Sequence, residues 1–280
     1  MVDFSPLGTL VALGGGDDDA LLTLLCRLLA DPNAAIEIVS VASQEPRRTA
    51  KAYEQAFGEL GCPGARHLCI DARRPADTPA TLRRLAQARL VFFTGGDQEL
   101  ITEFLLGTEF LRQLHHRYLT DAAFIVAGTS AGAAALPDNM LVDGYGWRAL
   151  RKGGIQTRSG LALRPGLLID QHFAERGRMG RLLHAVLTYP TSLGIGLSEE
   201  TGVILRHGYQ AEVFGDGSVM VVDGQHLHHD NLSGISRGEP VAGQDYRVHL
   251  LVAGQVFDCA ARRVLPAAAG ASSRPAAKPE

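Results

Sequence analysis

The chain has 280 residues, 46% of them hydrophobic and 20% charged, a globular balance that excludes wholesale disorder. A chain of this length buries roughly 75% of its unfolded surface, so a sizeable core is available. The net charge of −3 gives no electrostatic footprint for nucleic acid or an anionic membrane, and the 32 glycines lack the G-X-Y period of collagen.

Met1–Pro6 has neither the basic nor the apolar region of a secretory leader. No uncharged apolar run approaches the ~20 residues that span a bilayer. From there the first 135 residues alternate short apolar runs with longer helical patterns. Strands are predicted at Thr9–Leu13, Ile36–Val41, His67–Ile70, Leu90–Phe93 and Phe124–Ala127. Helices are predicted at Ala20–Ala30, Ala50–Leu60, Thr81–Ala88 and Glu99–Tyr118. Continuous β-branched or aromatic runs separated by helices describe a parallel sheet buried on both faces, hence a three-layer α/β/α sandwich. A Gly-rich basic stretch, Asp143–Gly160, interrupts the pattern, and a helix follows at Arg178–Thr188. The segments Val203–Arg206, Glu212–Phe214, Val219–Val222 and Val248–Val252 read as C-terminal antiparallel strands that extend or flank the main sheet. The expectation is a single catalytic domain over residues 1–266 and a disordered Ala/Pro-rich tail over 267–280.

The sharpest motif is Gly128-Thr129-Ser130-Ala131-Gly132, a G-x-S-x-G string placed after a strand and before a small-residue run. A sharp strand-to-helix turn there lifts a serine hydroxyl above the sheet, and the next N–H, at Ala131, faces a developing oxyanion. The plain alternative is a Gly-rich turn with a capping serine. A serine nucleophile needs a base, and His172 stands at the end of the apolar run Leu168–Asp170. An acid must orient that histidine. Glu199 and Glu200 follow the buried-looking strand Gly194–Leu197, and Asp143 is a third candidate. The chain order Ser–His–acid differs from that of α/β-hydrolases, so a different fold is expected to carry the chemistry.

Thr94-Gly95-Gly96-Asp97-Gln98 follows a strand and is a candidate second half of the oxyanion hole. Arg176, Arg178 and Arg181 follow the histidine, with Arg178 and Arg181 on one helix face, and are candidates for binding a carboxylate. Gly14-Gly15-Gly16-Asp17-Asp18-Asp19 has no lysine, and its acids would repel phosphate, so it reads as a turn into an acidic helix start. His226–Asp230 reads as an exposed turn rather than a metal site. The cysteines Cys26, Cys62, Cys69 and Cys259 match no zinc or redox spacing and read as reduced thiols of a cytoplasmic protein.

Taken together, GTSAGA at 128–133, GGDQ at 95–98, DQHF at 170–173 with R-x-R-x-x-R at 176–181, and G-I-G-L-x-E at 194–199 resemble the cyanophycinases. That serine peptidase family also contains the aspartyl dipeptidase called peptidase E. The similarity runs from about residue 8 to about 260. The resemblance implies a fold like class I glutamine amidotransferase domains, with serine in place of their cysteine. It implies Ser130 as nucleophile, His172 as base and Glu199 as acid, with Gly96 and Ala131 serving the oxyanion hole. Gln98, Asp170, Gln171, Arg176, Arg178 and Arg181 would line the substrate pocket. No cofactor and no metal are expected, and a homodimer is usual for the family. The implied substrate is cyanophycin, a poly-aspartate backbone with arginine joined to each side-chain carboxylate, cut to β-Asp-Arg dipeptides. An α- or β-aspartyl dipeptidase is the runner-up. A non-catalytic binder has no use for the elbow, and an esterase would want an apolar acyl pocket.

Overall fold

The computed structural model describes residues 5–266, so the predicted tail at 267–280 lies outside the described residues. In chain order the parallel half comprises β1 (Thr9–Leu13), α1 (Asp19–Leu29), β2 (Ile36–Val39), α2 (Pro46–Glu59), β3 (Ala65–His67), α3 (Pro79–Gln87), β4 (Leu90–Phe93), α4 (Gln98–Leu105), α5 (Glu109–Thr120), β5 (Ile125–Thr129) and the short α6 (Ala131–Ala134). The remainder comprises β6 (Asn139–Asp143), a 3-10 turn (Gly146–Leu150), β7 (Gln156–Ser159), β8 (Leu167–Asp170), α7 (Met179–Thr188), β9 (Leu193–Leu197), β10 (Thr201–Arg206), β11 (Gln210–Gly215), β12 (Val219–Asp223), β13 (Arg247–Leu251), β14 (Val256–Asp258) and β15 (Arg263–Val264).

The main sheet has nine strands in the order β15-β14-β11-β10-β1-β5-β4-β2-β3. Strands β1, β5, β4, β2 and β3 are parallel, and β10, β11, β14 and β15 continue the sheet antiparallel. The two faces follow from the strand period of two. In β1, Val11 and Leu13 pack against α1 and α2, while Leu10 and Ala12 face the core closed by α3, α4 and α5. This is the predicted α/β/α sandwich.

Two local expectations need correction. The predicted helix Glu99–Tyr118 is two helices. Gly107 takes φ +78° and the Thr108 hydroxyl accepts from Leu111 N–H, so a new helix is capped and started there. The third strand ends at His67, not Ile70, and the second ends at Val39. Of the later strands, β10 and β11 extend the main sheet and β12 and β13 flank it. β13, β12, β9 and β8 form a second, four-stranded sheet, and β6 pairs with β7 in a hairpin. One face of the second sheet, with Ile169, Ile195 and Val221, joins the main core, and the other, with Leu168 and Val222, is covered by Leu182 and Val186 of α7.

Candidate active site

The G-x-S-x-G motif forms the expected elbow between β5 and α6. Ser130 takes φ 51° and ψ −115°, a backbone state that costs a non-glycine residue energy unless its surroundings impose it. Its N–H donates to Leu13 O at the end of β1 (3.0 Å). The flanking glycines are forced. A Cβ on Gly128 would stand 2.5 Å from the Gly132 backbone, and one on Gly132 would strike Phe93 O.

Ser130 Oγ lies 2.8 Å from His172 Nε2. His172 Nδ1 lies 2.5 Å from Glu199 Oε1. His172 is mostly buried and Glu199 half-buried. The other two acids stand elsewhere. Glu200 is exposed with φ +53°, and the Asp143 carboxylate accepts from Gly144 N–H. The structure therefore brings Glu199, of the three candidates, to the imidazole. With its Nδ1–H directed to a carboxylate, Nε2 is the acceptor nitrogen, able to take the serine proton.

Gly95 lies against the hydroxyl, its pro-Cβ position 3.3 Å from Ser130 Cβ. Among the described residues no protein acceptor takes the N–H groups of Gly95, Gly96 or Ala131, whereas the Asp97 N–H is used by Ala42 O at 2.8 Å. Free N–H groups beside a serine hydroxyl suit a developing oxyanion.

The segment after β1, which in sequence reads only as a turn into an acidic helix start, holds the site segments together. Leu13 O accepts from Ser130 N–H, Gly14 O from His172 N–H (3.0 Å) and Gly15 O from Glu200 N–H (2.8 Å), so three consecutive carbonyls hold the three site segments. A Cβ on Gly15 would stand 2.5 Å from His172 Cε1, and one on Gly16 would stand 2.8 Å from Glu199 Cβ. Asp18 follows. Its carboxylate accepts the Tyr53 hydroxyl (2.7 Å) and the Thr129 hydroxyl (3.1 Å), one residue before the serine. Burial raises the Asp18 carboxyl above its ordinary value, and those two hydrogen bonds oppose the rise. The available signal was position: a glycine run at the carboxyl end of a parallel strand, where α/β sites gather.

The arginines stand differently from expectation. Asp170 is fully buried, and Arg178 and Arg181 are buried with it. Arg181 Nε donates to Asp170 Oδ2 (2.6 Å) and its Nη2 to Oδ1. Arg178 Nη1 donates to Gln171 Oε1 (2.6 Å), to Gln171 O and to Asp170 Oδ1 (3.3 Å). These groups bond to one another instead of facing a solvated cleft, because α7 packs its Arg181 side onto the end of β8; of them, only Arg178 Nε is left buried without a hydrogen-bond partner among the described residues. Burial and the neighbouring Arg181 lower the Arg178 guanidinium below its ordinary value, and Asp170 opposes this. Gln98 Nε2 donates to Leu141 O (3.0 Å) and so ties α4 to β6. Arg176 is exposed, and no acid pairs with it among the described residues.

The chain matches known peptidases in sequence and in fold. The sequence model of peptidase family S51 matches residues 10–213. A cyanophycinase of Synechococcus elongatus is 31% identical over 261 residues, covering 92% of this chain and 81% of that protein. A cyanophycinase of Nostoc sp. is 33% identical over 262 residues, covering 92% of this chain and 87% of that protein. The crystal structure of a peptidase from an acI-B1 Actinobacterium superposes with a TM-score of 0.64 at 19% identity, covering 91% of this chain and 98% of its own, which speaks to the fold alone. No helix among the described residues is long and apolar enough to cross a membrane.

Proposed function

The chain belongs to peptidase family S51 and is a serine-type peptidase, and from that premise we propose that it hydrolyses cyanophycin from its end to β-Asp-Arg dipeptides through a Ser130–His172–Glu199 acyl-enzyme mechanism. The observation that carries the reading is the continuous hydrogen-bonded chain from Ser130 Oγ through the imidazole to the Glu199 carboxylate. Ser130 Oγ attacks the scissile carbonyl carbon while His172 Nε2 takes its proton. Glu199 holds the imidazole ring and stabilises the imidazolium that forms. The N–H of Ala131, with that of Gly95 or Gly96, receives the oxyanion. Collapse of the tetrahedral adduct expels the leaving amine, protonated by His172. Water then repeats the sequence on the acyl-enzyme, with His172 as base, and frees Ser130.

In this reading Asp170, Arg178 and Arg181 form a buried shelf under the histidine. Gln171 is bonded into that shelf and immediately precedes His172. Arg176, exposed and without an acidic partner, is the arginine left to meet a substrate carboxylate. Gln98 shapes the same cleft through β6. The proposal extends to a cytoplasmic homodimer. Its support for location is the four unbridged thiols, and for assembly the family resemblance alone.

The test incubates the protein with insoluble cyanophycin and identifies soluble products by mass. β-Asp-Arg is expected, and Ser130→Ala should release none above background while keeping its melting temperature. Removal of a triad nucleophile leaves only the ~10³–10⁴-fold catalysis of binding and oxyanion contacts. Hydrolysis of short aspartyl peptides without attack on the polymer would assign the chain to the dipeptidase reading instead.

A further inference from the structure

A second feature lies along the same edge of the sheet, outside the serine–histidine–glutamate chain. At the carboxyl ends of β2 and β3 the chain opens a cleft of about 650 Å³ between residues 45–48 and residues 69–74. Four guanidiniums line it, those of Arg47, Arg48, Arg73 and Arg74, with two carboxylates, Glu45 and Asp71. Two of the arginines are neutralised locally. Arg48 Nη1 pairs with Glu45 (2.9 Å) and Arg74 Nη2 with Asp71 (2.6 Å). Arg47 and Arg73 are exposed and have no acidic partner among the described residues. The cleft therefore carries an excess of two positive charges in a protein whose net charge is −3.

The walls are built before any ligand arrives. Asp71 Oδ1 accepts from the N–H groups of Arg73 and Arg74, both at 2.9 Å, which fixes one loop. Ser43 Oγ accepts from Glu45 N–H (3.1 Å) and bonds the Thr49 hydroxyl (2.7 Å), which fixes the other. Its lining also includes the less polar side chains of Ile70, Cys69, Pro46 and Ala72. A guanidinium over a preformed, partly apolar surface pairs with a carboxylate more strongly than one in open water.

Position links this cleft to the nucleophile. In the sheet, β2 neighbours β4, and β4 neighbours β5, which ends at the serine elbow. The turn Gly95–Gly96 after β4 touches both sides. Gly95 lies against Ser130, and Gly96 packs on Ala42 O and Ser43 N, next to the 45–48 wall. A polymer entering the serine site across this turn runs onto the cleft.

Resting on the cyanophycin reading, we infer that the Arg47–Arg73 cleft is a secondary subsite that grips carboxylates of the polymer several groups away from the scissile bond. Each repeat of a polymer in which arginine is joined through its α-amine exposes one carboxylate and one guanidinium. The carboxylates pair with Arg47 and Arg73. A substrate that does not reach from the serine site to this cleft gains nothing from it, so the subsite favours long chains.

The experiment measures steady-state hydrolysis of soluble cyanophycin and of a synthetic two-repeat oligomer, for the wild type and for Arg47→Glu/Arg73→Glu. The charge reversal should raise KM for the polymer at least tenfold, leave its kcat within about twofold, and leave both constants for the oligomer within about twofold. The polymer effect should shrink in high salt, since exposed pairs are screened. Arg47→Ala/Arg73→Ala should give the same pattern at smaller size, and unchanged melting temperatures of both variants confirm that folding is intact. An equal loss on polymer and oligomer, or no change on the polymer, overturns the subsite. A wild type that cleaves the oligomer but not the polymer overturns the cyanophycin reading and the subsite with it. A wild type that cleaves both, beside variants identical to it, removes the subsite alone.

Discussion

Removing Arg181 should unfold the protein more readily before it tells anything about substrate binding. Asp170 is fully buried, and the Arg181 side chain is 2% exposed. Two of the hydrogen bonds to that carboxylate come from Arg181 and one, longer at 3.3 Å, from Arg178. Arg181→Ala leaves a buried charge with its weaker partner only. Breaking a buried pair in this way costs about 3–5 kcal/mol, much of it the penalty of the stranded charge. Because Arg178 remains, the lower end applies, about 3 kcal/mol. At a few degrees per kcal/mol for a domain of this size, the melting temperature should fall by roughly 5–10 °C. Arg181→Lys keeps the charge but loses the planar fork, and should cost about half as much. Calorimetry at pH 7 reads the shift, and kcat/KM measured well below the transition reads activity. An unchanged melting temperature with a tenfold loss of kcat/KM would refute the reasoning. It would return Arg181 to the substrate-facing role that its sequence position suggests.

The burial of Arg181 marks where the sequence stops being informative. The spacing of Arg178 and Arg181 says that they share a helix face, but not which face. The answer depends on Asp170, which reaches them only because α7 folds back onto β8. Within the parallel half, the sequence boundaries of β1 and β4 match the structure residue for residue. Strands buried on both faces are uniformly apolar, and that pattern survives any tertiary context. The later strands were legible as strands that extend or flank the main sheet, but not which of them does which. A segment such as Gly194–Leu197 has the same local pattern whether it extends the main sheet or builds a second one. The distinction arises from packing, where Gly194 and Gly196 admit Leu182, Val186 and Phe173 against the strand.

The elbow was readable because its chemistry forces glycine at two fixed positions. From the residues alone the choice between Glu199 and Glu200 was open, since both follow the same strand, and only the resemblance implied Glu199. The structure separates them through backbone conformation: Glu200 takes φ +53° and turns outward, while Glu199 stays beside the imidazole. The role of Gly14–Gly16 was hidden for the opposite reason. Its aspartates drew attention to charge, whereas what the site uses is the absence of side chains and the carbonyls of residues 13–15.

The remaining expectations bear on that geometry and on pH. Glu199→Gln should lower kcat by tenfold or more with KM little changed, because the acid acts on the imidazolium formed in the transition state; Glu200→Gln and Asp143→Asn should stay within about twofold, and a larger loss in either would displace Glu199. Gly15→Ala should nearly abolish turnover, since the new methyl would stand 2.5 Å from His172 Cε1 and the backbone holds φ +92°; normal kcat would mean that the histidine does not sit there in solution. Acid should weaken the fold partly through His184, which is buried on α7 with Nδ1 2.7 Å from Ala149 O. Burial lowers its pKa below the ordinary histidine value, against a smaller opposing effect of that hydrogen bond. The folded state then binds fewer protons than the unfolded chain in the window just below ~6.5, so stability rises with pH across that window and is lost as pH falls through it. The slope from one such group cannot exceed about 1.4 kcal/mol per pH unit. His184→Gln removes it, and comparing urea midpoints of the variant and the wild type from pH 5 to 7 cancels the carboxylates common to both. The two stability curves should converge toward acid pH; curves that stay parallel would mean that His184 accepts its proton in the folded protein as easily as in the unfolded chain.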